Sequence, residues 1–281
     1  MTKQHLILKE NRPFLKIDAE WKAYFLGLFG ADGSLSDQGT GYITLAETDK
    51  YILDILRKKI YKTPQKLIKK QGRNKNVQNS YLLYLSKELC QDFHKYNMIV
   101  NKSLTLEFPR NIPKKYLPDF IRGFFDGDGS INKGQSHIEL SICCSKPFGI
   151  SLQQILKDNQ INISLYKHGS IFRLRSGNSK ELLKFFNLIY YQNTVLKLTR
   201  KYKLFQKALN NTNWEKINRP KSSKYIGVIF YPRGKSHWIA RIKINRKSIE
   251  LGCYKTELEA AKARIQGEIK YFGKPKQKLL P

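Results

Sequence analysis

The chain has 281 residues, with 52 Lys plus Arg against 22 Asp plus Glu and a formal charge of +30. A compact body so charged repels itself until a polyanion neutralises it, which makes nucleic acid the leading partner and an anionic membrane surface the rival. The length leaves room for two or three domains and a sizeable core, and no long uncharged apolar run or signal-peptide pattern is present, so a spanning or secreted protein and a membrane partner are not expected.

Residues 1–17 read as a basic lead-in containing Pro13. Asp18 stands where an N-cap is expected, with Glu20 and Trp21 opening a helix that runs to about Ala31. Strands are expected at 34–37 and 42–46, joined as a hairpin. Ile52, Leu53, Ile55, Leu56 and Ile60 recur at helical spacing, so 49–60 reads as a helix. A second strand pair at 66–70 and 81–86 flanks a polar turn, and 88–98 is again helical, giving the order αββαββα. After a linker with Pro109 and Pro113 the order recurs. Helix 114–125 leads to strands 130–132 and 137–144, helix 147–158, strands 163–167 and 171–175, and helices 179–190 and 198–210.

Each half thus offers a four-stranded antiparallel sheet with one face on helices and the other free. The fold class is α+β, with two pseudo-symmetric αββαββα halves forming a saddle about as wide as a DNA duplex. Lys66, Lys69, Lys70, Arg73, Lys75, Gln78 and Tyr84 line it from the first half, and Lys133, Gln135, Lys167, Arg173 and Arg175 from the second. Arg pairs with guanine edges and Asn or Gln with adenine, while Lys mostly neutralises phosphate. For any single one of these residues, a solvated polar sheet face is the alternative.

Residues 211–221 change character and read as a linker. Beyond it, 225–231, 238–245 and 248–254 alternate as three short strands, and Thr256 caps a helix ending near Gly273. A small three-stranded sheet backed by one helix leaves its other face open. Cys90, Cys143, Cys144 and Cys253 lack CxxC spacing and read as buried thiols in a reducing, intracellular compartment, an organelle or a bacterial or viral cytoplasm. The histidines, His5, His94, His137, His168 and His237, fall in no ligand pair and read as structural or surface residues.

The stretch from Phe25 to Gly33 returns in altered form from Ile121 to Gly129. Each copy is a short apolar helix that stops at Asp-Gly, where a strand begins. Gly27 with Ala31, and Gly123 with Gly127, leave one helix face without bulk, so two such helices can cross in near contact. Leu28 and Phe29, like Phe124 and Phe125, fill the other face. If the helices pack side by side, Asp32 and Asp128 emerge at the same end, where two carboxylates suit a hard divalent cation and phosphodiester cleavage. A packed helix ending in a turn is the plainer reading of either copy alone. A calcium loop fails for 126–137, because its sixth and twelfth positions are Ile131 and His137.

These paired stretches resemble the signature of the LAGLIDADG homing endonucleases, in their single-chain form, over roughly residues 18–205. The resemblance implies residues 1–105 and 106–210 as two repeats and a monomer that cuts both DNA strands, leaving short 3′ overhangs. It implies Mg²⁺ or Mn²⁺ as cofactor, held by Asp32 and Asp128. Gly30 departs from the pattern, where the second copy has Asp126. The family's basic residue near each active site falls on Lys102 and Lys201, in a role that stabilises transition-state charge or polarises the attacking water; a surface lysine is the alternative for each. Its polar residue after the second strand falls on Glu47 and Ser145. Some members are RNA-splicing maturases, so intron RNA is a second partner, and a non-catalytic DNA-binding regulator is a third reading.

Residues 222–281 resemble an AP2 DNA-binding domain through Tyr225-Ile226-Gly227-Val228, Trp238-Ile239-Ala240-Arg241-Ile242 and Leu251-Gly252-Cys253-Tyr254. In that family the open sheet face enters the major groove, which points to Tyr231, Arg233, Lys235, Arg241 and Lys243. Ile226, Ile229 and Glu250 depart from the plant-type pattern, so base preference does not carry over, and Trp238 has core packing as its alternative.

Overall fold

The computed structural model describes residues 7–72, 78–133, 138–212, 223–231, 238–245 and 247–279. Arg73, Lys75, Gln135, His137, Arg233, Lys235, the Lys133 side chain and most of the 211–221 linker lie outside the described residues. The chain forms two compact units, 1–211 and 212–281.

In the first unit, α1 (Glu20–Asp32) leads to β1 (Gly33–Leu35), β2 (Gly41–Ala46), α2 (Lys50–Ile60), β3 (Ile68–Lys70), β4 (Ser80–Leu85) and a one-turn α3 (Lys87–Cys90). The same order follows in α4 (Leu117–Asp128), β5 (Gly129–Lys133), β6 (Ile138–Cys144), α5 (Lys146–Asp158), β7 (Ser164–His168), β8 (Ile171–Ser176) and α6 (Ser179–Ile189), and α7 (Thr199–Asn210) closes the unit. The antiparallel sheets have matching orders, β1-β2-β4-β3 and β5-β6-β8-β7.

Helix α1 is buried from Trp21 to Gly30, because it lies between its own sheet and α4. Glycine makes the crossing possible: a methyl group at Gly27 would stand 2.0 Å from the Phe120 carbonyl oxygen, and one at Gly123 would stand 2.1 Å from that of Tyr24. The two backbones touch at equivalent points, as the small-residue spacing anticipates.

Two local expectations are corrected, and the lead-in gains a role. Asp18 does not cap α1; Ala19 holds that position without a side-chain bond, and Asp18 pairs with Lys22 at 2.8 Å, which also meets Glu10 at 2.6 Å. The described part of the lead-in anchors itself to the unit: Leu8 bridges to Tyr61, Arg12 pairs with Asp92, and Phe14 is fully buried, stacked on Phe25 at 5.0 Å and edge-on to Phe93 at 5.2 Å. The helix expected over 88–98 breaks into α3 and a 3-10 turn, Phe93–Tyr96, ended by Asn97 at φ 59°. That tighter turn brings both Phe93 and Tyr96 inside.

The second unit orders its strands β11 (Lys247–Tyr254), β10 (Trp238–Ile244), β9 (Val228–Phe230), with α8 (Glu257–Phe272) after them. Ala260 and Ala261 of α8 pack on Tyr225, Val228 and Ala240. Trp238 joins this core and meets Phe230 edge-on at 5.0 Å, so packing accounts for its side chain. Thr256 and Glu259 form a reciprocal capping box, and Gly273 ends the helix at φ 76°. Buried Arg264 donates to Glu268 at 3.1 Å and to the Arg241 carbonyl at 2.6 Å, tying helix to sheet.

Candidate active site at the paired helix ends

Helices α1 and α4 stop on Asp32 and Asp128, and Gly33 and Gly129 turn the chain into extended backbone. A methyl group at Gly127 would stand 2.2 Å from Ala31 Cβ and 3.0 Å from Asp32 Oδ2, so the Asp32 carboxylate lies against α4 one residue before Asp128. Asp32 is exposed and Asp128 half-buried. Burial, and next the neighbouring Asp32 charge, push the Asp128 carboxyl up to about 6. Although the Asp32 residue as a whole is exposed, its carboxylate lies against α4, and the protein atoms that displace water there raise its pKa, against the pull of Lys201, Lys102 and Arg200.

Two helix C-termini, each carrying roughly half a negative charge, meet here with two carboxylates. Such a place demands cations. Lys102, at the start of a 3-10 turn, donates its ammonium to the Gly33 carbonyl and lies 5.2 Å from the Phe29 ring centre. Lys201, from α7, donates to the carbonyls of Phe125 (3.0 Å), Asp126 (2.5 Å), Gly127 (2.9 Å) and Gly129 (2.6 Å), 5.7 Å from the Phe125 ring centre. Each lysine therefore closes the helix of its own half. Burial is the first cause of both depressed ammonium pKa values, bringing Lys102 down to about 8. Lys201→Met leaves these α4 carbonyls without their donor, an expected loss of about 2–3 kcal/mol in denaturant unfolding.

The Gly30/Asp126 difference is an exchange of local packing. Asp126 is buried and accepts from Tyr24 Oη (2.7 Å), the Leu198 amide (2.8 Å) and Tyr190 Oη (3.4 Å), linking both signature helices to the start of α7. Burial pushes its carboxyl up to about 6. Gly30 instead faces Met98 and Phe124, each 3.4 Å from an added methyl group.

Sequence reasoning missed three side chains. Arg200 Nε donates to buried Asp49 Oδ2 at 2.8 Å, carrying a third cation from the second half to the first, near Asp32. Beside it Tyr51 Oη donates to the Lys197 carbonyl and accepts the Thr199 amide, each at 2.6 Å. Arg122, an arginine inside an apolar helix and so a visible anomaly, donates to the carbonyls of Leu196 (2.7 Å) and Ile189 (2.9 Å) and to Asp119 (2.7 Å). Glu47 accepts from Asn79 at 3.1 Å and meets Lys69 at 3.5 Å, whereas Ser145 caps α5 and donates to the Leu106 carbonyl.

The strand registers sort the remaining candidates. Lys70, whose ammonium lies 5.4 Å from the Tyr42 ring centre, and Tyr84 share the open face of the first sheet; Lys66 and Gln78 are exposed outside its strands. Lys69 falls on the opposite face with Tyr81. Arg173 and Arg175 lie on the open face of the second sheet, and Arg175 pairs with Glu139 at 2.5 Å. Lys167 has the parity of Leu165, which packs beside Gly149 of α5, so the expectation that it lines the open face is corrected. In the second unit Arg241 and Lys243 share one sheet face, with Arg241 held by Glu250 at 3.1 Å, and Tyr231 is exposed just past β9.

Residues 116–190 match the LAGLIDADG-like domain family, and residues 21–89 match the WhiA LAGLIDADG-like domain family. A curated relative, the DNA-directed RNA polymerase subunit Rpo1C of Methanocaldococcus jannaschii, is 24% identical over 127 residues, 45% of this chain and 14% of that protein. The structure of full-length WhiA from Thermatoga maritima aligns with TM-score 0.45 and 18% identity over 69% of this chain and 62% of that one. The homing endonuclease I-WcaI bound to its DNA recognition sequence aligns with TM-score 0.48 and 14% identity, over 68% of this chain and 89% of that one. This chain thus spans less than two thirds of the polymerase subunit and of WhiA. The two stretches similar to LAGLIDADG-like domain families follow one another, and each contains one of the two apposed helices that end on Asp32 and Asp128.

Proposed function

We propose that this chain is a site-specific endonuclease that hydrolyses both strands of double-stranded DNA with a divalent metal, Mg²⁺ or Mn²⁺. The observation that carries the reading is the Asp32 carboxylate lying against α4 beside Asp128 at the joined helix ends. Among the described residues no group of three or more His, Cys, Asp or Glu side chains gathers as a metal cluster. Two carboxylates on negative helix ends, completed by water and phosphate oxygens, are nevertheless the donor set that Mg²⁺ takes in phosphoryl chemistry. A divalent metal held there would supply a lowered pKa for an attacking water and positive charge to offset that of the phosphate. Asp32 and Asp128 would hold it, Lys102 would stabilise developing negative charge, and Lys201 would position Asp128 by fixing the end of α4. The second unit, read as an AP2-like domain, adds affinity by tethering a further DNA contact.

A second reading, DNA binding without cleavage, is favoured by the match of residues 21–89 to the WhiA domain family. Incubating the full chain with a randomised plasmid library and Mg²⁺ separates the two. Linear product that disappears with Asp32→Asn and with Asp128→Asn supports the nuclease. Retention on DNA with no product in Mg²⁺ or Mn²⁺ supports the second reading. Splicing of a bound intron RNA without DNA cutting would instead point to a maturase.

A further inference from the structure

The open faces of the two sheets have matching strand registers but differ in chemistry at particular matched positions, although the second face also carries exposed Tyr166. Gly33 pairs with Ile43, and its counterpart Gly129 pairs with Ile142, which sets the correspondence strand by strand. One row of the first sheet runs Ser34, Tyr42, Tyr84, and the next runs Thr44, Leu82, Ile68. The matching rows of the second sheet run Ser130, Ser141, Arg175, Ser164 and then Cys143, Arg173, Tyr166. Where the first sheet presents Tyr84 the second presents Arg175, and Arg173 stands at the position where the first sheet has buried Leu82.

The first face is apolar and aromatic out to solvent, with Tyr42 40%, Tyr84 38% and Ile68 54% exposed, while the Thr44 hydroxyl is covered and without a partner. Among the described strand residues of that face Lys70 is the charged one, and it lies over Tyr42. On the second face, Glu139 holds the Arg175 guanidinium through Nη2 at 2.5 Å and Nε at 3.2 Å, and the Arg173 Nε–H is covered and has no hydrogen-bond partner. A braced arginine fork suits the O6/N7 edge of guanine, whereas methyl groups and ring faces suit the 5-methyl of thymine.

Resting on the DNA-binding reading above, we propose that the two sheets read half-sites of opposite composition. Tyr42, Tyr84 and Ile68 select thymine-bearing pairs in one half, and Arg173 and Arg175 select guanine in the other. The target is then asymmetric in composition, although the protein repeats.

The test uses the full chain carrying Asp32→Asn and Asp128→Asn, which holds DNA uncut, to select from a library of random duplexes. The expected consensus has a thymine-rich half and a guanine-containing half. Arg173→Ala relaxes the guanine preference about tenfold, with Arg173→Lys no better, since lysine lacks the fork. Uracil in place of thymine, which removes only the methyl, weakens binding several-fold in the half that Arg173→Ala leaves untouched. Tyr84→Arg, at the position matching Arg175, moves that half toward guanine. Guanine enriched equally in both halves, or uracil without effect, overturns the inference while leaving DNA binding intact. A library with no enriched sequence overturns the DNA-binding reading itself.

Discussion

Asp128→Asn is expected to lower metal-dependent DNA cutting by at least about 10³-fold and, at pH 7.5 without metal, to make the protein more stable by about 1–3 kcal/mol. Both effects have one cause. The Asp128 carboxyl is half-buried beside Asp32 and is pushed up to about 6, so its ionised form is disfavoured in the folded chain. An unfolded aspartate titrates near ~3.9. The group's contribution to stability is therefore fully present below about pH 4 and lost as pH rises through about 6. Asparagine keeps the shape without that penalty but cannot bind the metal. The metal-free wild type should unfold at higher denaturant concentration at pH 5 than at pH 7.5, and the difference should shrink in the variant. Asp126 titrates in the same range and in the same direction, but it is present in both proteins, so their difference isolates Asp128. Magnesium should stabilise the wild type and not the variant, by mass action. An asparagine protein that unfolds more easily at pH 7.5, with no change in cutting, would falsify the account.

Gly27→Ala and Gly123→Ala should each cost about 3 kcal/mol or more, or abolish soluble expression. The added methyl would meet a backbone carbonyl at 2.0 or 2.1 Å, and backbone inside two packed helices has no rotamer through which to yield. Separating the helices also separates Asp32 from Asp128, so any folded fraction should cut poorly. Gly30→Ala is the control. Its methyl would find Met98 Cε and a Phe124 ring carbon at 3.4 Å, ordinary contact, and alanine favours the helix, so a change within about 1 kcal/mol is expected. Urea unfolding of the three proteins decides the matter: equal losses at Gly27 and Gly30 would mean that backbone approach is not what the glycines serve.

Much of this protein was legible in its sequence because two features are local and repeated. Helical and strand periodicity announced both αββαββα halves, and the recurrence of Gly27 with Ala31 and Gly123 with Gly127 announced helices that touch. Aspartates closing both copies predicted a shared end, which the position of Asp32 against Gly127 bears out as geometry. Thr256 with Glu259, three apart, was a readable capping pair.

Contacts distant along the chain were not legible. Phe14 in the core, Arg200 on Asp49, Tyr51 on Thr199, and Arg122 on Leu196 each join residues that no spacing rule connects. The sequence by itself determined the repeat, the helix-end acids and the positive charge, since each is written in residue type and local period. Only the tertiary structure decided which lysine closes which helix, that Lys167 turns away from the open face, and which ladder positions face each other. Those outcomes depend on strand register and on side chains brought together from far apart, which a linear chain does not encode locally.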